Sequence, residues 1–358
     1  MIDLGQRARR LPGIDTHSTN AGRWSEGILD CIGKTPLVRL SRYLDYESPE
    51  LLVKLESANP GGSAKDRPAA LMLADALEKG FIDERTTIVE SSSGNMGIGL
   101  AQACRYHGLR FLCVVDPHAQ SQNIAIIQAL GGEVVRVETP INDNFLTARI
   151  ARVRMLLEEN PNSFWPNQYA NRCNPMAHEL ATIQEIDEAT GGDFDYLFVA
   201  TSSTGTAQGC RDYLRKRGRR TKVIAVDAEG SVLFGGTPGK RLVPGLGAGQ
   251  LPELAEGQVF DRIVRVSDLH CVTGCRRASR REAMLIGGSA GGVLEAVRSL
   301  QEEVGSSRVV AILHDSGTRY LDTIFNDEWV EAALGVSRDE VSNRINEPAL
   351  APTSKVTE

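Results

Sequence analysis

The chain has 358 residues, 41% of them hydrophobic and 24% charged, with a formal net charge of −6 at pH 7. These proportions describe a globular protein with room for two domains, and the acidic balance gives no electrostatic reason to expect nucleic acid or an anionic membrane as partner. No run of about 18 apolar residues is present, so no membrane-spanning helix is expected.

Residues 1–22 carry Arg7, Arg9 and Arg10 without the apolar core of a secretory signal, and residues 1–25 read as a flexible tail. Seven cysteines are scattered without a CxxC pair. Cys271 and Cys275 lie four apart, but no second pair completes a metal site. The expectation is reduced thiols in a cytoplasmic protein, with Cys271 and Cys275 buried, and no metal.

Two strand-like pieces, 36–40 and 51–55, lead to Asn59-Pro60-Gly61-Gly62-Ser63-Ala64-Lys65-Asp66-Arg67, ahead of a helical pattern over 68–79. Pro and Gly predict a tight turn that presents one lysine at a helix start. The positive end of a helix disfavours the protonated amine, which suits a lysine that must form a Schiff base. Alone, such a triplet is more often a solvated helix start.

A strand at 87–90 runs into Ser91-Ser92-Ser93-Gly94-Asn95 and a helix at 98–107. Strand 111–115, helix 121–130, strand 134–137 and helix 143–159 complete a block that ends near Asn160-Pro161. A second block has strands at 197–200, 223–227, 263–266 and 309–313. In it, Thr201-Ser202-Ser203-Thr204-Gly205-Thr206 opens a helix at 207–216, and Gly287-Gly288-Ser289-Ala290-Gly291-Gly292 opens one at 293–304. Each hydroxyl-glycine loop can turn backbone N–H groups toward an anion, and each is also the ordinary form of a βα loop with a Ser or Thr cap. The alternation predicts an α/β fold with mostly parallel sheets, and ligands beyond the carboxyl ends of the strands. All three loops and Lys65 lie near such ends, so one cleft between two domains can hold them. Asp227 ends a strand as a ribose-binding acid would, but no GxGxxG precedes it, which argues against a dinucleotide.

In this order, segments 59–67, 91–101, 202–206, 245–249, 287–291 and 314–321 resemble the fold-type II pyridoxal-phosphate enzymes of the cysteine synthase and cystathionine β-synthase family, with their tryptophan synthase β-like fold. The resemblance spans about 28–329. It implies a larger cofactor-binding domain from 26–60 and 164–335 and a smaller mobile substrate-binding domain from 61–163, while residues 336–358, ending in a stretch rich in Pro, Thr and Ala, read as a flexible C-terminal tail. It implies pyridoxal 5'-phosphate on Lys65, with the freed amine acting as base. The cofactor phosphate falls to Ser202, Ser203, Thr204, Gly205 and Thr206, the pyridine nitrogen to Ser289, and the 3-oxygen to Asn95. Ser92, Ser93, Gly94 and Asn95 take the substrate carboxylate. Ser202 and Thr204 stand where the family usually has glycine, Ser91 where many members have Pro, and Met96 where they have Thr. The departures at Ser91 and Met96 count against a plain cysteine synthase.

Segments 65–69, 113–117, 167–171, 226–235 and 318–322 look most like a branch that adds the amino group of L-glutamate to the β-carbon of O-phospho-L-serine through an aminoacrylate. The product of that branch is a precursor of 2,3-diaminopropionate, used in siderophores or antibiotics. On that reading Arg149 and Tyr169 meet glutamate, and Arg241 meets the leaving phosphate. The family also implies a homodimer, and the route a companion NAD-dependent dehydrogenase. An O-acetylserine or O-phosphoserine sulfhydrylase, or a cystathionine β-synthase, is the alternative sharing every cofactor residue.

Overall fold

Runs such as Tyr-Leu-Phe-Val-Ala at 196–200 and Val-Val-Ala-Ile-Leu at 309–313 offer no polar face to water. Strands of that kind must be covered on both sides, which in a parallel sheet is done by the crossover helices. The computed structural model describes residues 25–45, 49–142 and 144–347, so all but residue 25 of the expected tail 1–25 and the last residues, 348–358, lie outside it.

In chain order, β1 (Leu37–Arg39) and β2 (Glu50–Leu55) precede α1 (Asp66–Glu78), β3 (Thr87–Ser91), α2 (Asn95–His107), β4 (Arg110–Val115) and α3 (Ser121–Ala129). Then come β5 (Glu133–Arg136), α4 (Phe145–Glu159), β6 (Ser163–Phe164), α5 (Cys173–Ala177), a π-helical turn (His178–Thr182) and α6 (Ile183–Thr190). The remainder is β7 (Tyr196–Ala200), α7 (Gly205–Lys216), β8 (Lys222–Ala228), β9 (Arg262–Val266) and α8 (Asp268–Glu282). It continues with α9 (Gly288–Ser299), α10 (Gln301–Val304), β10 (Arg308–Leu313), α11 (Asp327–Leu334) and α12 (Arg338–Asn346).

These elements form two units, one from residues 1–34 and 58–182, the other from 35–57 and 183–358. The first has a four-stranded parallel sheet ordered β5-β4-β3-β6. The second has six strands ordered β1-β2-β10-β7-β8-β9, all parallel except the β1–β2 pair. The fold is α/β with parallel-dominated sheets, and the early pieces β1 and β2 do join the second sheet.

The boundaries differ in detail from the sequence-based division. Residues 28–34 and 164–182 cluster with the smaller unit because Leu29, Ile32, Cys173 and Ala177 are buried in its core. Residues 338–346, expected in a tail, form α12. Ser337 caps it by accepting from the Glu340 N–H at 3.2 Å, and Val341 and Ile345 enter the larger core. Only those two apolar side chains, four apart, carry its buried stripe, too little to stand out in a polar segment.

The larger unit is tied to that helix by a buried cation. Arg277 is fully buried and donates through Nε to the Tyr43 carbonyl at 2.8 Å. Its other nitrogens donate to Asp45 and to the Ile345 carbonyl, and its guanidinium lies over the Tyr43 ring, 5.6 Å from the centroid. Replacing one partner of such a network strands the others in a dry interior. Arg277→Leu should therefore cost about 3 kcal/mol or more, read as a fall in the urea midpoint. Arg281→Ala, which removes a half-exposed arm on the same Asp45, should cost less than about 1 kcal/mol.

Candidate active site

A parallel sheet opens a crevice where neighbouring strands send their connections to opposite sides. In the smaller sheet that point lies between β3 and β6, so the loop 92–94 and the turn 165–171 meet there. The turn before α1 is held from within. The Asn59 side chain donates to the Ser63 carbonyl at 3.1 Å, and Gly62 N–H donates to the Asn59 carbonyl at 2.8 Å. The Asp66 carboxylate accepts from Gly61 N–H and, at 3.4 Å, from the Ser63 hydroxyl. Lys65, half-buried, thus stands at the N-cap of α1 as expected. Helix α2 passes close by at Gly99, where a Cβ would lie 3.1 Å from the Lys65 carbonyl and 3.0 Å from the Ala69 Cβ. Gly99 is one turn beyond Asn95, so Lys65 and the start of α2 occupy one side of the unit.

The loop after β3 is pinned residue by residue. Ser92 Oγ accepts from Gly97 N–H at 3.0 Å, in the first turn of α2. Ser93 Oγ accepts from Arg149 Nη1 at 3.3 Å, and its carbonyl accepts from Asn123 at 3.2 Å. Arg149 is ion-paired with Asp116 at 3.2 Å, its side chain only 13% exposed. Arg149 thus reaches the hydroxyl loop, but a carboxylate already offsets its charge. Tyr169 is half-buried in the turn after β6.

Sequence reasoning passed over Glu90. It is fully buried at the end of β3 and accepts from Ser91 N–H at 2.8 Å, the Trp165 indole at 2.9 Å and Gln168 N–H at 3.2 Å. Burial pushes its carboxyl up to about 7 against the pull of those donors. A lone glutamate inside an apolar strand was the available clue.

In the larger sheet the connections diverge between β7 and β10. Ser202, Ser203, Thr204, Gly205 and Thr206 follow β7, and all but Ser202 are buried. Thr204 has φ +66°, where a β-branched residue is strained, and its hydroxyl donates to the Ser203 carbonyl at 2.7 Å. It makes no side-chain cap on α7. Gly247 N–H donates to the Thr201 carbonyl at 2.7 Å, drawing the 245–249 turn onto this loop. A Cβ at Gly245 would stand 3.8 Å from Ser289 Oγ, so the serine adjoins the same turn.

Several placements differ from expectation. Most of the segment 287–292 is not a loop, because α9 begins at Gly288 and holds Ser289 in its first turn. Arg241 donates to the Leu246 carbonyl at 3.3 Å, and its guanidinium packs beside Gly247 and Gly249, so the fold uses it to brace the 245–249 turn. Asp227 is buried, accepts from Ala228 N–H at 2.9 Å and faces Arg265 at 3.8 Å. His178 bonds Thr182 at 2.9 Å inside the π-helical turn. Among the described residues no group of three metal-ligating side chains comes together.

The larger unit therefore offers buried hydroxyls and the first turn of a helix, the donor set that suits a phosphate. A neutral serine beside a glycine suits the edge of a flat heteroaromatic ring, and the smaller unit offers an amine at a helix start. These residues fit pyridoxal phosphate.

A family profile described as pyridoxal-phosphate dependent enzyme matches residues 28–315. The chain is 42% identical over 316 residues to an N-(2-amino-2-carboxyethyl)-L-glutamate synthase of Ralstonia nicotianae, covering 88% of this chain and 93% of that one. Among solved structures it resembles a hydrogen sulfide-producing enzyme from Fusobacterium nucleatum, with TM-score 0.79, 30% identity and coverage of 83% of this chain and 100% of that one. It also resembles an O-acetylserine dependent cystathionine β-synthase from Helicobacter pylori, with TM-score 0.77, 30% identity and coverage of 84% and 98%. The cysteine synthase of Entamoeba histolytica gives TM-score 0.81 at 28% identity, covering 93% and 98%. The chain belongs to the pyridoxal-phosphate-dependent enzymes, with the fold of the cysteine synthase group, and pyridoxal phosphate is its cofactor.

Two outcomes follow from this geometry. Lys65→Ala should purify without the cofactor's visible absorbance after dialysis, while wild type keeps it. Thr204→Gly should raise stability by about 1 kcal/mol, the relief of left-handed strain less the added freedom of the unfolded chain, measured by urea unfolding of cofactor-free protein.

Proposed function

We propose that the enzyme joins the amino group of L-glutamate to the β-carbon of O-phospho-L-serine, releasing phosphate and forming N-(2-amino-2-carboxyethyl)-L-glutamate. The observation that carries this reading is the 42% identity to a synthase of that name over nearly the full length of both chains. The crevice chemistry supports it. The loop 92–95 offers hydroxyls and a helix start for one α-carboxylate, and Arg149 and Tyr169 flank it as partners for a dicarboxylic nucleophile.

When bound, pyridoxal phosphate supplies an electron sink to the substrate's α-carbon. The residues do the rest. Ser202 to Thr206 would hold the phosphate, Ser289 the ring nitrogen, and Asn95 the 3-oxygen. Lys65 anchors the cofactor, and its freed amine takes the α-proton. The neutral hydroxyl of Ser289 would not hold the ring nitrogen protonated as a carboxylate would, which would favour loss of the β-substituent over transamination. Ser92, Ser93, Gly94 and Asn95 orient the carboxylate and exclude water. Arg241, which also braces the 245–249 turn, meets the leaving phosphate in this reading. The enzyme works in the cytoplasm as a homodimer, its product consumed by an NAD-dependent dehydrogenase that releases 2,3-diaminopropionate for siderophore or antibiotic synthesis. Among the described residues no helix is long and apolar enough to cross a membrane.

The test is mass spectrometry of the product formed from O-phospho-L-serine with equimolar L-glutamate, sulfide and homocysteine. The carbon–nitrogen adduct should dominate. Cysteine or cystathionine as the main product would replace this reading with that of the sulfur-transferring relatives. Arg149→Ala should raise the KM for glutamate about tenfold or more, as for a lost charged contact, with a smaller effect on phosphate release from O-phosphoserine alone.

A further inference from the structure

The ladder between β3 and β6 runs for only two residue pairs, Thr87 with Ser163 and Ile88 with Phe164. Beyond Phe164 the chain leaves the ladder, yet it must still stand beside the end of β3 if Tyr169 is to line the crevice. Most of the connection there is made by one side chain. Glu90 takes the Ser91 N–H and the Trp165 indole on Oε1 at 2.8 and 2.9 Å, and the Gln168 N–H on Oε2 at 3.2 Å, with a further N–H from Asn167. The Gln168 side chain adds a bond to the Ser91 carbonyl at 3.4 Å. Asn174 then holds the Gln168 carbonyl at 2.7 Å, and Asn171 the Pro166 carbonyl at 2.9 Å, which shapes the turn around Tyr169.

All four partners of Glu90 are donors. An ionised carboxylate, an acceptor on both oxygens, satisfies them; an amide or a protonated acid brings a hydrogen against one of them. Among the described residues no lysine or arginine forms an ion pair with it. The titratable groups around it are few. Cys113 stands beside it on β4, its thiol pushed up to about 12 by burial, and Arg149 on α4 is paired to Asp116. Helix α2 begins with the uncharged Asn95, Met96 and Gly97.

We propose that Glu90 is a positioning residue that clamps the turn 165–169 to the end of β3, and so sets the distance between the carboxylate-binding loop and the Tyr169 wall that receives the nucleophile. The clamp selects for the second substrate and leaves the first half of the reaction untouched. This deepens the glutamate-accepting reading and rests on it for the identity of the nucleophile. With the Glu90 carboxyl raised to about 7, the clamp is complete above that pH and loses a bond as pH falls through it.

The experiment uses the holoenzyme and Glu90→Gln. At pH 8 the variant should show a KM for L-glutamate raised about tenfold, the loss of roughly one charged hydrogen bond, with the burst of phosphate from O-phosphoserine alone within about twofold of wild type. The wild-type KM should rise on acidification through about 7, and that of the variant should stay flat. Glu90→Asp should restore part of the difference. Independently of any substrate, the emission of Trp165 in a Trp24→Phe, Trp329→Phe background should titrate near the same pH and cease to do so when Glu90→Gln is added. An unchanged KM, an equal loss in both half-reactions, or a Trp165 emission that ignores pH would each overturn the proposal. If wild type itself refuses glutamate, the functional reading fails, and the Trp165 titration alone decides whether the clamp exists.

Discussion

A parallel sheet buried on both faces has only its strand ends to offer a ligand, and only where two neighbouring connections part is there space between them. That constraint governs this enzyme twice. In one sheet the parting lies between β3 and β6 and collects the hydroxyl loop, Arg149 and the turn with Tyr169. In the other it lies between β7 and β10 and collects the buried hydroxyls of 203–206, the 245–249 turn and Ser289. The residues assigned to the proposed chemistry come from both units, Lys65 and the loop 92–95 from one, the loop 202–206 and Ser289 from the other.

What each half spends to hold its site is different in kind. The smaller unit uses charge in dry places: Asp66 within the lysine turn, Arg149 with Asp116 beside Ser93, and Glu90 across the end of a two-residue ladder. The larger unit uses backbone conformation, with Thr204 in a left-handed region and Arg241 packed beneath a glycine-rich turn. Both strategies accept local cost for rigid placement, as functional sites commonly do. The buried carboxylates also show why charge near a site need not contact the substrate. Glu90 and Asp227 each satisfy neighbouring N–H groups before anything else.

Much of this was legible along the chain. Lys65 was marked by Pro and Gly before a helix, the hydroxyl-glycine loops by their place between apolar strands and helices, and the strands by length and β-branching. Less visible were features that depend on a partner distant in sequence. Nothing local says that Arg241 will turn toward the Leu246 carbonyl, that Arg149 will meet Asp116, or that Glu90 will wait for an indole 75 residues on. Helix α12 was missed because two buried side chains in nine residues make no periodic stripe.

The order of residue types along the chain therefore determined the α/β alternation, the turn-borne lysine and the loops where an anion can sit, because propensity, hydrogen-bonding capacity and hydrophobic period are local properties. Which strands became neighbours, where their connections diverged, and which buried charges met were settled only by the tertiary structure. Those outcomes hang on burial and long-range pairing, whose energies appear only once distant segments have shed their water.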